Sequence, residues 1–70
     1  MERVWVVEIE WYGPEGGDYA GWTSVHRTEA GADKRLQERA AELDLDLAAI
    51  DQGIDDSGST YSKSYLALED

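Results

Sequence analysis

His26 and the serine near it are the first residues to consider as catalysts. His26 is the only histidine of the chain, and Ser24 lies two residues before it. Residues i and i+2 of a strand stand roughly 7 Å apart, so we expect the two side chains to be beyond hydrogen-bond reach. No acidic residue is evidently placed to orient the imidazole, and one histidine without cysteine does not hold zinc. The sequence predicts an edge or surface histidine and a protein that is not an enzyme.

Acidic residues between positions 42 and 56 are the next candidates, because no base interrupts them. They are Glu42, Asp44, Asp46, Asp51, Asp55 and Asp56. An EF-hand loop needs oxygen ligands at its first, third and fifth positions and glycine at its sixth, whereas leucine and alanine stand at the corresponding places here. The glycine-rich stretch from Gly13 to Asp18 matches neither phosphate-binding pattern and has no lysine. We therefore expect no metal and no cofactor.

The net charge is -10, from sixteen acidic and six basic residues. Residues 1–39 carry a net charge of -3 and residues 40–70 a net charge of -7. A field of this sign repels nucleic acids and anionic membranes and attracts basic protein surfaces. The charge therefore predicts a basic protein partner and no direct binding to nucleic acid or membrane.

A strand would project Glu8 and Glu10 from one face about 6.6 Å apart, which is of the order of the spacing of phosphates along a nucleic-acid strand. The acidic segment is expected to extend this row, so that the carboxylates fill a groove lined with lysine and arginine. The predicted protein-binding residues are Glu8, Glu10, Asp44, Asp46, Asp51, Asp55 and Asp56. The alternative is that these acids are solvated and far apart.

The helix that must position these residues is predicted from Thr28 to Leu43. Thr28 suits the N-cap, and Glu29 places a negative charge at the positive end of the helix dipole. Ala32, Leu36, Ala40 and Leu43 form one apolar stripe at helical spacing. On the other faces, opposite charges three or four residues apart predict the ion pairs Lys34–Glu38, Arg35–Glu38 and Arg39–Glu42. This pattern favours a solvated, salt-bridged face over the alternative, a phosphate-binding strip.

Three strands are expected around this helix. The segment Arg3 to Tyr12 alternates, with Trp5, Val7, Ile9 and Trp11 on a face that suits the helix stripe. Its other face carries Val4, Val6, Glu8, Glu10 and Tyr12, which fit a surface, a partner contact or a dimer contact. The turn from Gly13 to Asp18 leads to a returning strand, Tyr19 to Arg27, with a bulge near Gly21 to reconcile Trp22 and Val25.

The closing strand is predicted from Thr60 to Leu68, after a turn from Asp55 to Ser59, and it is expected to pair with the first strand. Residues 44–54 fit either a short strand or a second helical turn capped by Asp46. The fold class is therefore α+β: a ββαβ domain in which an antiparallel three-stranded sheet, with a short fourth strand as one alternative, packs against one helix.

Seventy residues predict a single domain, residues 1–70, whose core is small enough for dimerisation to be a natural remedy. The apolar run at the amino terminus is too short for a signal-peptide core, and no stretch approaches the roughly 18 apolar residues of a membrane span. We expect a cytoplasmic protein.

A resemblance follows from several of these segments: GWTSVHRTEA from Gly21 to Ala30, the pair Arg35-Leu36, the run Ala40 to Leu43, and the closing YSKSYLALED. Together they resemble short acidic proteins encoded by bacteriophages and their actinobacterial hosts. Small acidic phage proteins include anti-CRISPR and anti-restriction inhibitors, several of which look like DNA in their charge. The resemblance implies an inhibitor of a nucleic-acid-binding host protein. The alternative function is a self-associating structural or accessory module whose acidity reflects solubility or halophilic adaptation.

Overall fold

The computed structural model of the chain describes residues 2–13 and 17–68, which form three strands and two helices. The predicted ββαβ order is confirmed, with one further short helix before the last strand. In chain order the elements are β1 (Arg3–Tyr12), β2 (Tyr19–His26), α1 (Glu29–Glu42), α2 (Leu47–Asp51) and β3 (Thr60–Ala67).

The sheet has the order β2-β1-β3, and β1 pairs antiparallel with both neighbours. The register between β1 and β2 runs without interruption from Tyr12 opposite Tyr19 to Trp5 opposite His26. The predicted bulge near Gly21 is therefore wrong, and Trp22 and Val25 do lie on opposite faces. A bond from Gly13 N–H to Asp18 O, 3.1 Å long, closes the connecting loop, of which residues 14–16 lie outside the described residues.

Helix α1 begins where the sequence predicts. Thr28 has extended backbone angles, and its side chain accepts a hydrogen bond from Gly31 N–H, as an N-cap does. Its buried residues are Ala32, Leu36 and Ala40, the first three members of the predicted stripe. Ala32 and Leu36 form the core cluster with Val7 and Ile9. The small alanines let the helix lie close to the sheet.

The remaining core contacts come from half-buried side chains around this cluster. They are Trp5, Leu43, Leu45, Leu47 and Tyr61. Trp11, which the alternation places on the same face, is not in the cluster; its ring lies beside Gly13 at the far end of β1. The segment after α1 supplies three leucines instead, because it folds back over the sheet.

The stretch 44–54, for which the sequence left a strand and a helical turn open, contains the short helix α2 and no strand. Asp44 has a φ of 55°, and the bonds from Asp44 N–H to Ala41 O and from Leu45 N–H to Ala40 O form the closing turn typical of a helix end. Asp46 then caps α2, because its Oδ1 accepts from the N–H groups of Ala48 and Ala49. The acids of this segment thus begin and end helices.

Two side-chain contacts join the helical layer to β3. Lys63 Nζ donates to Asp33 Oδ1 at 2.6 Å and to Glu29 Oε2 at 3.0 Å, both on α1. Tyr61 O–H donates to Asp51 Oδ1 at the end of α2. Of the predicted pairs along α1, only Arg39–Glu42 is made; within the described residues Glu38 pairs with neither Lys34 nor Arg35. Lys63 therefore provides ion pairs that join β3 to α1, in place of the pairs that were expected within the helix.

These contacts predict a loss of stability at alkaline pH. The hydrogen bond to Asp51, followed by burial, raises the pKa of Tyr61 above its ordinary 10.0, and bonds to Asp33 and Glu29 raise the pKa of Lys63 above 10.5. A group whose pKa is higher in the folded state stabilises the fold below its unfolded pKa, and this contribution is lost as the pH rises. We therefore expect the melting temperature to fall above about pH 10.

The measurement is thermal unfolding between about pH 9 and pH 12. Tyr61→Phe should lower stability near neutral pH and make the alkaline fall shallower, because only Lys63 then contributes. Tyr19→Phe is the matched control, since Tyr19 is exposed and its hydroxyl has no partner among the described residues. Identical pH profiles for Tyr61→Phe and the unmodified chain would contradict the prediction.

No helix in the described part of the chain is long and apolar enough to span a membrane.

Candidate functional site

One face of the sheet is covered by α1 and α2, and the other has no element of the described chain packed on it. We call this second face the open face. It is defined by strand alternation from Val7 and Ile9, which point to the helix and are buried. The open face consists of Val4, Val6, Glu8, Glu10 and Tyr12 of β1, Tyr19, Gly21, Thr23 and Val25 of β2, and Thr60, Ser62, Ser64 and Leu66 of β3.

Two carboxylates occupy the middle of the open face. Glu8 lies between Thr23 and Ser62, and Glu10 lies between Gly21 and Thr60, whose hydroxyl donates to Glu10 Oε2 at 3.4 Å. Both glutamates are exposed. The open face as defined holds no basic residue, and neither glutamate makes an ion pair with a described residue. The centre of the face is therefore an uncompensated negative site.

Apolar side chains flank this acidic centre on one side. Val4 is buried, at 9% exposure, whereas Leu66 opposite it is 50% exposed and Val25, opposite Val6, is 61% exposed. The sequence singled out Val4 and Val6 for association, but Val4 is largely shielded. Val25 and Leu66 were missed, although their odd spacing from Trp22 and Tyr65 indicates the opposite face. They offer the apolar contact surface at this end.

Two tyrosines flank the acidic centre on the other side. Tyr12 and Tyr19 face each other across β1 and β2, with ring centroids 5.2 Å apart. Both rings are exposed, so each keeps an apolar surface and a hydroxyl for a partner. The open face thus has an apolar end, an acidic centre and an aromatic end.

Asp46 and Asp51 do not extend the row of Glu8 and Glu10. Asp46 caps α2, and Asp51 bonds Tyr61, which lies opposite Ile9 on the covered face. The sheet therefore separates these acids from the open face, and the prediction of a single continuous row is wrong. The reason is that residues 44–54 fold over the helical side, where Leu45 and Leu47 reach the core.

The last members of that acidic set have different surroundings. Asp44 forms the turn after α1, and Asp55 Oδ2 accepts from the Ser57 hydroxyl at 2.7 Å. The hydroxyl oxygens of Ser57 and Ser59 are 2.9 Å apart, and Ser59 Oγ accepts from Tyr12 N–H. Asp55 therefore supports the contact between the last loop and the end of β1. Asp56 is exposed.

Ser24 and His26 lie on the covered side of the sheet, and the expectation that their side chains are beyond hydrogen-bond reach is wrong. Ser24 Oγ and His26 Nε2 are 2.8 Å apart, because the long imidazole side chain spans the gap that separates the two Cα atoms. No acidic side chain of the described residues forms a hydrogen bond with the ring. The pair is half-buried and points towards the start of α1, where a Cβ added to Gly31 would lie 3.7 Å from His26 Nδ1.

Next to this pair, a small cleft between β2 and α1 gathers basic and polar side chains. It encloses about 50 Å³ and is lined by Val7, Ile9, Trp22, Thr23, Ser24, Arg35 and Arg39. The Arg39 guanidinium lies 4.8 Å from the centre of the Trp22 ring and donates to Glu42 Oε2 at 2.8 Å. The sequence favours a solvated, ion-paired helix face for these arginines over a phosphate-binding strip. The spacing of four between them was the available signal that they share one side of α1.

Within residues 2–13 and 17–68, no three histidine or acidic side chains are arranged to hold a metal ion. Comparison with protein-family models, with curated proteins and with solved structures gives no match for this chain. A function is therefore inferred from the geometry of the chain's own residues. The resemblance to acidic phage proteins stays a prediction.

Proposed function

We propose that the protein is a non-enzymatic, cytoplasmic interaction domain that binds a basic surface of another protein through its open face. The observation that supports this is the acidic centre, Glu8 and Glu10, on an uncovered sheet face without a basic residue. Positive groups of a partner would meet both carboxylates at a spacing of about 6.6 Å. Val25 and Leu66 on one side and the tyrosine pair on the other would supply apolar contact around these charge pairs.

Charge complementarity favours a basic partner over a second copy of the chain. In a face-to-face dimer the acidic centres would approach each other, and each chain carries a net charge of -10. Like charges opposed across an interface destabilise it. Self-association remains a second candidate because Val25 and Leu66 are both exposed at the same end of the open face, and an offset dimer could cover them without opposing the glutamates. Sedimentation in low and high salt separates the two, since a salt-insensitive homodimer favours self-association.

The finer proposal concerns the kind of basic partner. We propose a nucleic-acid-binding host protein, inhibited because the chain occupies the surface that would bind phosphates. The support is the spacing of Glu8 and Glu10 together with the overall charge. Two carboxylates on one face replace at most two phosphates, so the apolar and aromatic ends must contribute to the affinity. Competition between the chain and duplex DNA for the captured partner tests this step separately.

Binding should depend on the position of the acids and not only on their number. We expect Glu8→Gln with Glu10→Gln to weaken binding of a basic partner by about 2-fold to 30-fold, since each exposed charge pair contributes roughly 0.2–1 kcal/mol. A defined probe is a peptide of alternating lysine and leucine, titrated while amide chemical shifts are recorded. The shifts should concentrate on the open face, near Glu8, Thr23 and Ser62.

The matched control is Glu38→Gln with Asp56→Asn, which changes the net charge by the same amount. Both control residues are exposed and make no side-chain hydrogen bond within the described residues. The control should bind the peptide nearly as well as the unmodified chain. Equal weakening by the two double variants would show that only total charge matters. Shifts confined to residues 44–56 would place the interface elsewhere.

The Ser24–His26 contact makes the proposal of a non-enzyme testable. We expect no hydrolysis of an activated ester, such as p-nitrophenyl acetate, above that of free imidazole at the same concentration. Without an orienting acid, the ring is not held in the tautomer that a serine nucleophile requires. Turnover that His26→Ala and Ser24→Ala both abolish would overturn this part of the proposal.

A further inference from the structure

The cleft between β2 and α1 has a composition unlike the rest of the surface. It contains two arginines, and none of its lining residues is acidic. Its inner wall is apolar, formed by Val7, Ile9 and Trp22, and Thr23 and Ser24 lie at its strand side. In a chain with sixteen acidic residues, this is a local positive site that the open face does not explain.

The two arginines of the cleft differ in their contacts with neighbouring side chains. Arg39 is fixed by Trp22 and Glu42, and its side chain is only 20% exposed. Arg35 lies one turn earlier on α1, is half-buried and has no ion-pair partner among the described residues. A partly desolvated guanidinium with unused donors binds a carboxylate with two parallel hydrogen bonds more strongly than an exposed one does.

Ser24 adds a neutral donor to the same cleft. When His26 Nε2 carries the ring proton, it donates to Ser24 Oγ across the 2.8 Å contact. The serine O–H is then free to donate to an anion. In that tautomer the histidine positions the hydroxyl for the ligand.

The volume of the cleft and the net charge of the chain limit the kind of ligand that can bind. A volume of about 50 Å³ accommodates roughly three or four groups the size of a water molecule, which is a carboxylate with a short tail. The apolar wall and the net charge of -10 disfavour a dianion more than a monoanion, since repulsion grows with the ligand charge. We propose that this cleft binds a monovalent carboxylate, with Arg35 and Ser24 as its donors and Val7, Ile9 and Trp22 around its aliphatic tail.

The probe is sodium propionate, titrated into the isotope-labelled chain at constant ionic strength up to about 100 mM, with weak, millimolar binding expected. Saturable shifts should appear at the Trp22 indole N–H and at the amide of Ser24. Propionamide, which has the same shape without the charge, should give no saturable shift. Inorganic phosphate should bind more weakly than propionate. Tighter binding of phosphate would overturn the assignment to a carboxylate.

Arg35→Gln should weaken propionate binding about tenfold or more, because it removes charge-assisted hydrogen bonds. Lys34→Gln is the matched control: it makes the same charge change one residue away, on an exposed side chain outside the cleft. Ser24→Ala, which keeps both arginines, should also weaken binding. Dispersed amide spectra must show that each variant is folded. No saturable shift in the unmodified chain, or equal losses in Arg35→Gln and Lys34→Gln, would overturn the proposal.

A second arm distinguishes the source of the carboxylate. A short peptide ending in alanine with a free carboxyl terminus is compared with its carboxamide. If the free peptide binds more tightly than propionate and the amide does not bind, the cleft recognises a polypeptide carboxylate. If propionate binds and neither peptide does, it recognises a free acid. The open-face variant Glu8→Gln with Glu10→Gln should leave all of these titrations unchanged. The test of the carboxylate site is therefore independent of the test of the proposed function.

Discussion

Replacing Leu36 by alanine is expected to lower the free energy of unfolding by about 2–5 kcal/mol. Leu36 is 6% exposed and contacts Val7 and Ile9 from the helical side, in a core cluster of only four buried residues. A single core rarely supplies more than about 3–5 kcal/mol of stability to a domain of this size. The substitution should therefore unfold a large fraction of the molecules, as measured by urea denaturation followed by circular dichroism.

Leu66→Ala is the matched control, because it removes the same atoms from a side chain that is 50% exposed on the open face. We expect it to change stability by about 0.5 kcal/mol at most. It should instead weaken binding of a basic partner if the open face is the interface. Comparable losses of stability in the two variants would mean that Leu66 is buried in solution, as it would be in a dimer.

Much of the fold could be predicted because local signals and periodicity agree. Thr28 marks the start of α1, and the alternation along β1 selects Val7 and Ile9 for the core. The same alternation places Glu8 and Glu10 on the other face. These inferences need only neighbouring residues in the chain. The bulge at Gly21 was a wrong inference because it assumed that both Trp22 and Val25 had to be buried, whereas Val25 is 61% exposed.

The candidate sites were harder to predict because they depend on contacts between distant segments. Whether Asp46 and Asp51 share a face with Glu8 depends on which side of the sheet the segment after α1 covers. That choice is made by Leu45, Leu47 and the contact between Tyr61 and Asp51. Side-chain length matters in the same way. The distance between Cα atoms in a strand did not exclude the contact of Ser24 with His26, because the imidazole reaches along the strand.

The sheet separates two surfaces of opposite character. The open face presents Glu8 and Glu10 without a cation, while the cleft behind it presents Arg35 and Arg39 without a lining acid. Lys63 joins the layers between them through its bonds to Glu29 and Asp33. Ion pairs thus hold Lys63 and Arg39 on the helical side, away from the open face. The fold itself keeps the open face acidic.

Ala32→Leu tests how closely α1 must approach the sheet for this arrangement. Ala32 is 0% exposed and contacts the apolar face of β1, so three additional carbon atoms have no space there. We expect a loss of about 1–3 kcal/mol in the free energy of unfolding. In molecules that remain folded, the helix should move away from the sheet. The amide chemical shifts of Val7 and Ile9 should then change, and the ion pair between Lys63 and Asp33 should weaken.

Ala41→Leu makes the same addition on the exposed side of α1 and should change stability by about 0.5 kcal/mol at most. The comparison separates overpacking from any effect of leucine on the helix itself, because both positions are helical. The displaced helix in Ala32→Leu should also reshape the cleft that Arg35 and Arg39 line, which weakens propionate binding while the carboxylates of the open face keep their positions. If Ala32→Leu is as stable as the unmodified chain, the space between helix and sheet is larger than the buried alanine indicates.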